Sequence, residues 1–166
     1  MVLKNKSLAK IAEPIISGVV QDCRDSIGIT SFSLIKDDKE LWKEYGGKGN
    51  GVRIEINIPD HLIGQIYHKV QYVPERIFHI DTFLGSSLSR DKAIDAYRNI
   101  LLTKTKKWQG EKELRFIGKH QNVSFVFDGS VTEIAFGPCV PLNVLDKLES
   151  SIEEHCKTNN ISICKL

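Results

Sequence analysis

The segment from Glu111 to Arg115 contains side chains whose types and spacing could do chemistry. It reads Glu-Lys-Glu-Leu-Arg, and residues two apart on a β-strand share a face. A strand would therefore place Glu111, Glu113 and Arg115 in one outward row, with Leu114 packed on the other face. Two neighbouring carboxylates raise each other's proton affinity and a guanidinium opposes this. Such a row could orient a sugar hydroxyl or stabilise a cationic transition state; the alternative is a solvated strand face with an ordinary ion pair.

A second polar group lies on another predicted strand, within Thr30-Ser-Phe-Ser33. The alternation places Ser31 and Ser33 on one side and Phe32 on the other. Hydroxyls in this position can hold the ribose or phosphate of a ligand. The alternative is that they satisfy neighbouring backbone groups.

Trp42 and Tyr45 precede a glycine-rich segment, Gly46-Gly-Lys-Gly-Asn-Gly51. Their spacing would put both rings on one face of a helix, and the glycines would allow close backbone approach. The segment has no G-K-[ST] and precedes a strand, so it matches neither a P-loop nor a Rossmann turn. The alternative is that both rings belong to the core, beside a flexible loop.

A basic segment runs from Lys104 to Trp108, and lysines beside an aromatic ring could contact nucleic acid. A lysine-rich helix end explains the same pattern without a partner. The formal net charge is +2, from 23 basic and 21 acidic residues. This balance is not typical of a nucleic-acid-binding protein, so we do not expect a nucleic-acid partner.

Composition and cysteine usage favour a cytoplasmic protein. Hydrophobic residues make up 41% of the chain and charged residues 27%, which excludes wholesale disorder. No apolar run approaches the roughly 18 residues of a membrane span, and the N-terminus does not resemble a signal peptide. The four cysteines form no C-x-x-C pair and the five histidines are scattered, so we expect free thiols and no metal site.

The periodicity of the chain predicts an α+β fold with a mainly antiparallel sheet and three principal helices. We expect one domain over residues 1–166, with a helical lead-in at 1–27 and a sheet-and-helix core at 28–166. The predicted helices are 14–24, 89–107 and 143–158, with a short one at 38–45. The predicted strands are 28–34, 52–58, 66–73, 111–117, 123–127, 131–136 and an edge strand at 161–164.

The clearest predicted strand is Val52–Ile58. Val52, Ile54, Ile56 and Ile58 alternate with polar residues, which predicts that the apolar side is buried and the polar side wet.

Four motifs in order resemble a bacterial domain-of-unknown-function family, family 2971. They are S-F-S, L-W-x-x-Y-G-x-x-x-x-G-V-x-I-E-I, K-x-x-W-x-x-E-K-E-L-R and E-I-A-F-G, and they span about Ile29 to Gly137. More distantly, the order is similar to the ADP-ribosyltransferase plan, with a serine strand followed by a glutamate strand. The aromatic-basic strand and N-D-P-F/Y turn that open the family pattern are missing from residues 1–27. The resemblance therefore implies a truncated core of that plan.

The resemblance implies that the protein handles a nucleotide such as NAD, as a transferase-like domain of a bacterial toxin or phage-defence system. Glu113 would hold the nicotinamide ribose and favour oxocarbenium character, while Glu111 would orient the acceptor. Ser33 would brace the cleft, and Trp42 or Tyr45 could stack on a ring. The alternative is a non-catalytic binding or homo-oligomerisation module, because a missing first strand would leave a sheet edge open to strand addition.

Overall fold

The computed structural model describes residues 27–77, 90–118 and 129–166, together with positions 10, 13, 14, 17, 18, 21, 22 and 25 of the N-terminal segment. Those N-terminal positions are all helical. The fold is α+β, as predicted, and most pairings among the described strands are antiparallel. No helix in these ranges is long and apolar enough to cross a lipid bilayer.

The described strands come in runs that are separated by single helices, without a regular βαβ order. In chain order they are β1 (Gly28–Ser33), α1 (Lys39–Glu44), β2 (Val52–Asn57), β3 (Tyr67–Lys69), β4 (Gln71–Val73), α2 (Arg90–Leu101), β5 (Thr103–Thr105), β6 (Glu113–Gly118), β7 (Ser130–Phe136), α3 (Leu142–Thr158) and β8 (Ser162–Lys165). Chain contacts divide the protein into two compact units: unit 1 is Met1–Leu34 with Ile63–Phe125, and unit 2 is Ile35–Leu62 with Val126–Leu166. The assignment of the whole chain to one domain stays a prediction.

Unit 1 is built around a three-stranded antiparallel sheet with β6 in the centre, flanked by β1 and β3. Its apolar face contains Tyr67 and Leu114, which are fully buried. The Tyr67 ring packs edge-on against Phe32, with centroids 5.9 Å apart, and at 5.7 Å from Phe116. These aromatic contacts join all three strands on one side, so the polar side chains of the same strands must point to the other side.

Unit 2 contains a sheet in the order β2-β7-β8, in which β2 is antiparallel and β8 parallel to β7. The buried apolar side chains of unit 2 are on β7 and α3: Ala135, Phe136, Leu145 and Cys156. The predicted strand at 161–164 forms as β8 and lies at the edge of this sheet. Asp38 begins α1, as predicted, and its carboxylate accepts the backbone N–H groups of Glu40 and Leu41 at 2.8 and 3.1 Å.

Several predicted boundaries are wrong, because local patterns do not show where tertiary contacts end an element. The long helix predicted to Lys107 ends at Leu101, and the chain continues as β5 and a 3-10 turn. The single strand predicted at 66–73 is divided into β3 and β4 around the buried Val70. Helix α3 begins at Leu142 after Pro141, one residue before the predicted cap Asn143.

The prediction for the faces of β2 is wrong for the first half of the strand. After the register shift between Glu55 and Ile56, Ile56 is half-buried and Asn57 is exposed, as predicted. Val52 and Ile54 are 47% and 57% exposed, whereas the intervening Arg53 is partly buried. Arg53 forms ion pairs with Asp37, at 2.6 Å, and with Glu133 on β7. The polar side is covered because its charges are paired, and alternation alone could not show which side faces the rest of unit 2.

Some predictions fall outside the described residues. These are the strand at 123–127 and the apolar face of the first helix, which includes Cys23. The other three cysteines, Cys139, Cys156 and Cys164, are free in the structure, in agreement with the prediction for them.

Candidate functional site

Glu113 occupies the first position of β6 and is only 6% exposed. The interpretation of this segment as a solvated strand face is therefore wrong. The predicted three-residue row is also wrong at its start. Glu111 ends a 3-10 turn, and Lys112 adopts a left-handed conformation with φ 41° before the strand begins. Of the three charged residues in the predicted row, only Glu113 and Arg115 lie on the strand, two positions apart.

Arg115 holds the Glu113 carboxylate through both of its oxygens. Arg115 Nε donates to Oε1 at 2.7 Å, and Nη2 donates to Oε2 at 3.0 Å. The third guanidinium nitrogen, Nη1, donates to the carbonyl of Leu101, the last residue of α2. Helix ends leave such carbonyls without helical partners, so Arg115 fixes the carboxylate and ties β6 to the end of α2.

Lys104 on β5 supplies a second cation to this cluster. Its ammonium lies 2.9 Å from Glu113 Oε2 and also forms an ion pair with Glu111. It lies 5.6 Å from the Trp108 ring centroid, and Lys107 lies 4.9 Å from the same centroid. The interpretation of these lysines as a helix end is wrong, because α2 ends before them. Lys104 instead neutralises two carboxylates.

The two serines lie on the same face of the sheet as the carboxylate. Ser31 is opposite Arg115 and Ser33 is opposite Glu113 in the β1–β6 register. The Ser31 side chain hydrogen-bonds to Glu113. Ser33 Oγ donates to the Glu111 carbonyl at 3.0 Å. The structure therefore brings together five of the unit 1 residues that the sequence singled out: Ser31, Ser33, Glu111, Glu113 and Arg115.

The surroundings of Glu113 keep its carboxyl ionised. Burial raises its pKa, but hydrogen bonds from Arg115, Ser31 and Lys104 outweigh that effect and lower the pKa to about 2. The backbone N–H of Glu113 also donates to the Tyr72 hydroxyl at 2.8 Å. A carboxyl with this pKa does not serve as a general acid at neutral pH. It can accept a hydroxyl hydrogen bond or stabilise a nearby positive charge.

His68 on β3 is a site residue that the sequence analysis did not single out. It lies directly opposite Arg115 in the β3–β6 register, so Ser31, Arg115 and His68 form one row across three strands. Its Nε2 is buried without a hydrogen-bond partner. Burial lowers the His68 pKa, and the charge of Arg98 lowers it further. No motif pointed to this histidine, since only strand pairing places it in the row.

Trp42 and Tyr45 belong to unit 2, whereas the carboxylate cluster belongs to unit 1. Trp42 is on α1 and half-buried, but Tyr45 follows the helix and is 68% exposed. A Cβ on Gly137 would come within 3.0 Å of Trp42 Cζ3. Backbone bonds from Gly137 and Cys139 to the carbonyls of Gly51 and Gly49 hold the glycine segment. Trp42 therefore packs against backbone, and the glycines form a hydrogen-bonded turn rather than an open loop.

A second charged cluster lies within unit 2. Glu55 and Glu133 face each other directly across β2 and β7, an arrangement that is unfavourable for like charges. Lys36 lies between them, 2.8 Å from Glu55 and 3.1 Å from Glu133, and Arg53 pairs with Glu133 as well. The cluster is charge-paired and stabilises the β2–β7 contact.

Among the residues that the structure describes, no three His, Cys, Asp or Glu side chains come together in a way that could hold a metal ion. Comparisons of the chain with protein-family models, with curated proteins and with solved structures found no match.

Proposed function

We propose that the protein binds a nucleotide such as NAD at the polar face of the unit 1 sheet and acts on it as a transferase-like domain. The observation that supports this most directly is the convergence of Ser31, Glu113 and Arg115 on one face of paired strands, around a carboxylate that stays ionised. The order of the sequence motifs, similar to family 2971 and to the ADP-ribosyltransferase plan, supports the same proposal.

The chemistry requires a lone pair of Glu113 to be available to the ligand. Lys104 makes this feasible because it has two carboxylate partners. If Lys104 keeps its ion pair with Glu111 and releases Glu113, the freed Glu113 oxygen can accept a hydrogen bond from a ribose hydroxyl. Arg115 and Ser31 then still hold the carboxylate in its orientation.

The held carboxylate would stabilise positive charge on the ribose as the bond to nicotinamide breaks. The bonding electron pair leaves with nicotinamide and neutralises its ring. Water or an acceptor hydroxyl then adds to the ribose carbon and loses its proton to solvent. Glu111 would orient that acceptor, Ser33 would brace the strand, and stacking by Trp42 or Tyr45 stays a prediction.

The proposal places the protein in the cytoplasm, where nucleotides such as NAD are available, and in a bacterial toxin or phage-defence system. The free cysteines Cys139, Cys156 and Cys164 are compatible with a reducing compartment.

The test is a calorimetric titration with NAD, combined with chromatographic measurement of nicotinamide release. Glu113→Gln should reduce release at least tenfold, because the neutral amide stabilises developing positive charge poorly. Ser31→Ala should reduce it less, since Arg115 still orients the carboxylate. The matched control is Glu149→Gln, which removes a carboxylate paired with Lys165 in unit 2 and should leave both measurements unchanged.

Near-ultraviolet circular dichroism must show that each variant is folded at the assay temperature. Absence of NAD binding and of nicotinamide release in the folded wild-type protein would refute the proposed activity. Equal release by wild type and folded Glu113→Gln would refute the role of Glu113.

A second candidate function, homodimerisation through β2, is favoured by the exposure of Val52 and Ile54. No described strand pairs with the outer edge of β2, and exposed apolar edges invite strand addition. Antiparallel pairing of two copies centred on Ile54 would place Arg53 opposite Glu55 of the partner subunit, and the reverse. Such two-fold pairing of opposite charges is self-complementary.

Light scattering after size-exclusion chromatography tests this second candidate. Ile54→Lys should convert a dimer to a monomer, whereas Leu142→Lys, at an exposed position on α3, should leave the dimer intact. A wild-type protein that is monomeric at micromolar concentration would exclude it.

A further inference from the structure

One ring nitrogen of His68 donates a hydrogen bond, and the other is an acceptor without a donor. A hydrogen bond to the Gln65 backbone stabilises the protonated ring, so the ring N–H donates to that carbonyl. Because Nε2 has no partner, the donating nitrogen is Nδ1. In the neutral ring, Nε2 is therefore an acceptor. A buried acceptor without a partner is costly, and most such groups in folded proteins have one.

Arg98 on α2 lies close enough to His68 to affect its charge state. No ion pair joins Arg98 to a carboxylate within the parts of the chain that the structure describes. The neighbouring cluster is already balanced, because Lys104 and Arg115 offset Glu111 and Glu113. Among the residues that the structure describes, Arg98 therefore adds a positive charge beside the His68 acceptor that no carboxylate pairs with.

His68 also lies near the carboxylate that the proposed function uses. His68 and Arg115 are directly opposite across β3 and β6, which makes Glu113 a diagonal neighbour of His68 at about 7–8 Å. A ligand that offers a hydroxyl donor to His68 and an anionic group to Arg98 has the chemistry of a phosphorylated sugar.

We propose that His68 and Arg98 bind the sugar-phosphate part of the nucleotide, with Nε2 accepting a sugar hydroxyl and the guanidinium pairing with the phosphate. This inference rests on the proposed function for the identity of the nucleotide. It adds two binding residues, on β3 and α2, that lie outside the predicted serine and glutamate strands.

Nitrogen-15 NMR of the histidine side chains, with ribose 5-phosphate as the probe, tests the proposal independently of activity. The Nε2 resonance of His68, assigned by its loss in His68→Gln, should shift when the probe binds. Ribose alone and inorganic phosphate alone should produce smaller shifts, because each supplies one of the two groups. His61, an exposed histidine of unit 2, is the internal control and should not shift.

Calorimetry with the same probe separates the two residues. His68→Phe keeps the ring shape but removes the acceptor and should weaken binding about tenfold. Arg98→Gln should weaken it by at least tenfold, and Arg98→Lys should recover part of the loss. Lys147→Gln on the exposed side of α3 is the matched charge control and should bind as wild type does.

The outcomes distinguish this inference from the proposed function. NAD binding without a shift at His68, or unchanged binding by His68→Phe and Arg98→Gln, overturns the inference and leaves the function standing. A His68 shift with ribose 5-phosphate in a protein that neither binds nor cleaves NAD supports the inference and rejects the function. A protein that responds to neither probe refutes both.

Discussion

Glu113 should make the free energy of unfolding depend strongly on pH in the acidic range. Its pKa is lowered from 4.5 to about 2 in the folded state, and each unit of difference corresponds to about 1.4 kcal/mol. The ionised carboxylate therefore contributes about 3 kcal/mol to the free energy of unfolding at neutral pH. A group whose folded pKa is lowered contributes above its unfolded pKa, so this contribution is lost as pH falls from about 5 to about 2.

Glu113→Gln removes the ionisation and leaves Arg115 and Lys104 with weaker partners. We expect the variant to be less stable than wild type by about 3 kcal/mol at pH 7. The difference should shrink towards zero as pH falls to about 2, because the carboxyl is then protonated in the unfolded state and about half protonated in the folded state. Other carboxyls also contribute to the loss of stability in acid, including Glu55, whose pKa is lowered by Lys36. They are present in both proteins and cancel in the difference.

Urea denaturation followed by circular dichroism, repeated from pH 7 to pH 2.5, measures this difference. Glu153→Gln on the exposed side of α3 is the control, and its difference from wild type should stay small throughout. If the difference in free energy of unfolding between Glu113→Gln and wild type is the same at pH 7 and at pH 2.5, the ion pairs of Glu113 do not lower its pKa. That result would refute the reasoning.

Three further predictions concern other parts of the chain. Arg53→Gln, which leaves two carboxylates of the unit 2 cluster without their guanidinium, should lower stability by about 2 kcal/mol in urea denaturation at pH 7; an unchanged midpoint would mean that the cluster is only surface charge. Gly137→Ala should destabilise by about 1–3 kcal/mol because its Cβ would clash with the backbone carbonyl of Gly49 and also crowd Trp42. Gly110→Ala, with open space around it, should cost less than 1 kcal/mol. In mass-spectrometric mapping of thiol labelling, Cys139 should be modified before Cys156, since only the first is exposed; the reverse order would contradict the burial of Cys156.

The sequence determined the elements whose signals are local. The cap at Asp38 and the helix after it follow from hydrogen bonds within a few residues of chain. The strands containing Ser31 and Glu113 follow from alternation of polar and apolar residues. The fold class follows in turn from the number and order of these elements.

Boundaries and faces depend on contacts that are distant in sequence. Alternation along β2 shows that its sides differ, but not that paired charges on β7 would cover the polar side and leave Ile54 exposed. Lys104 looked like part of a basic helix end. It is instead a counterion of two glutamates, because β5 turns it back towards them.

The candidate site shows the same division. Residue types and spacing in the sequence are sufficient to point to Ser31, Glu113 and Arg115. Only tertiary structure buried the carboxylate among its cations, lowered its pKa and placed His68 in the same row. Pairing of β3 with β6 decides that last position, and strand register between distant segments is a property of the packed sheet that no local pattern in the chain encodes.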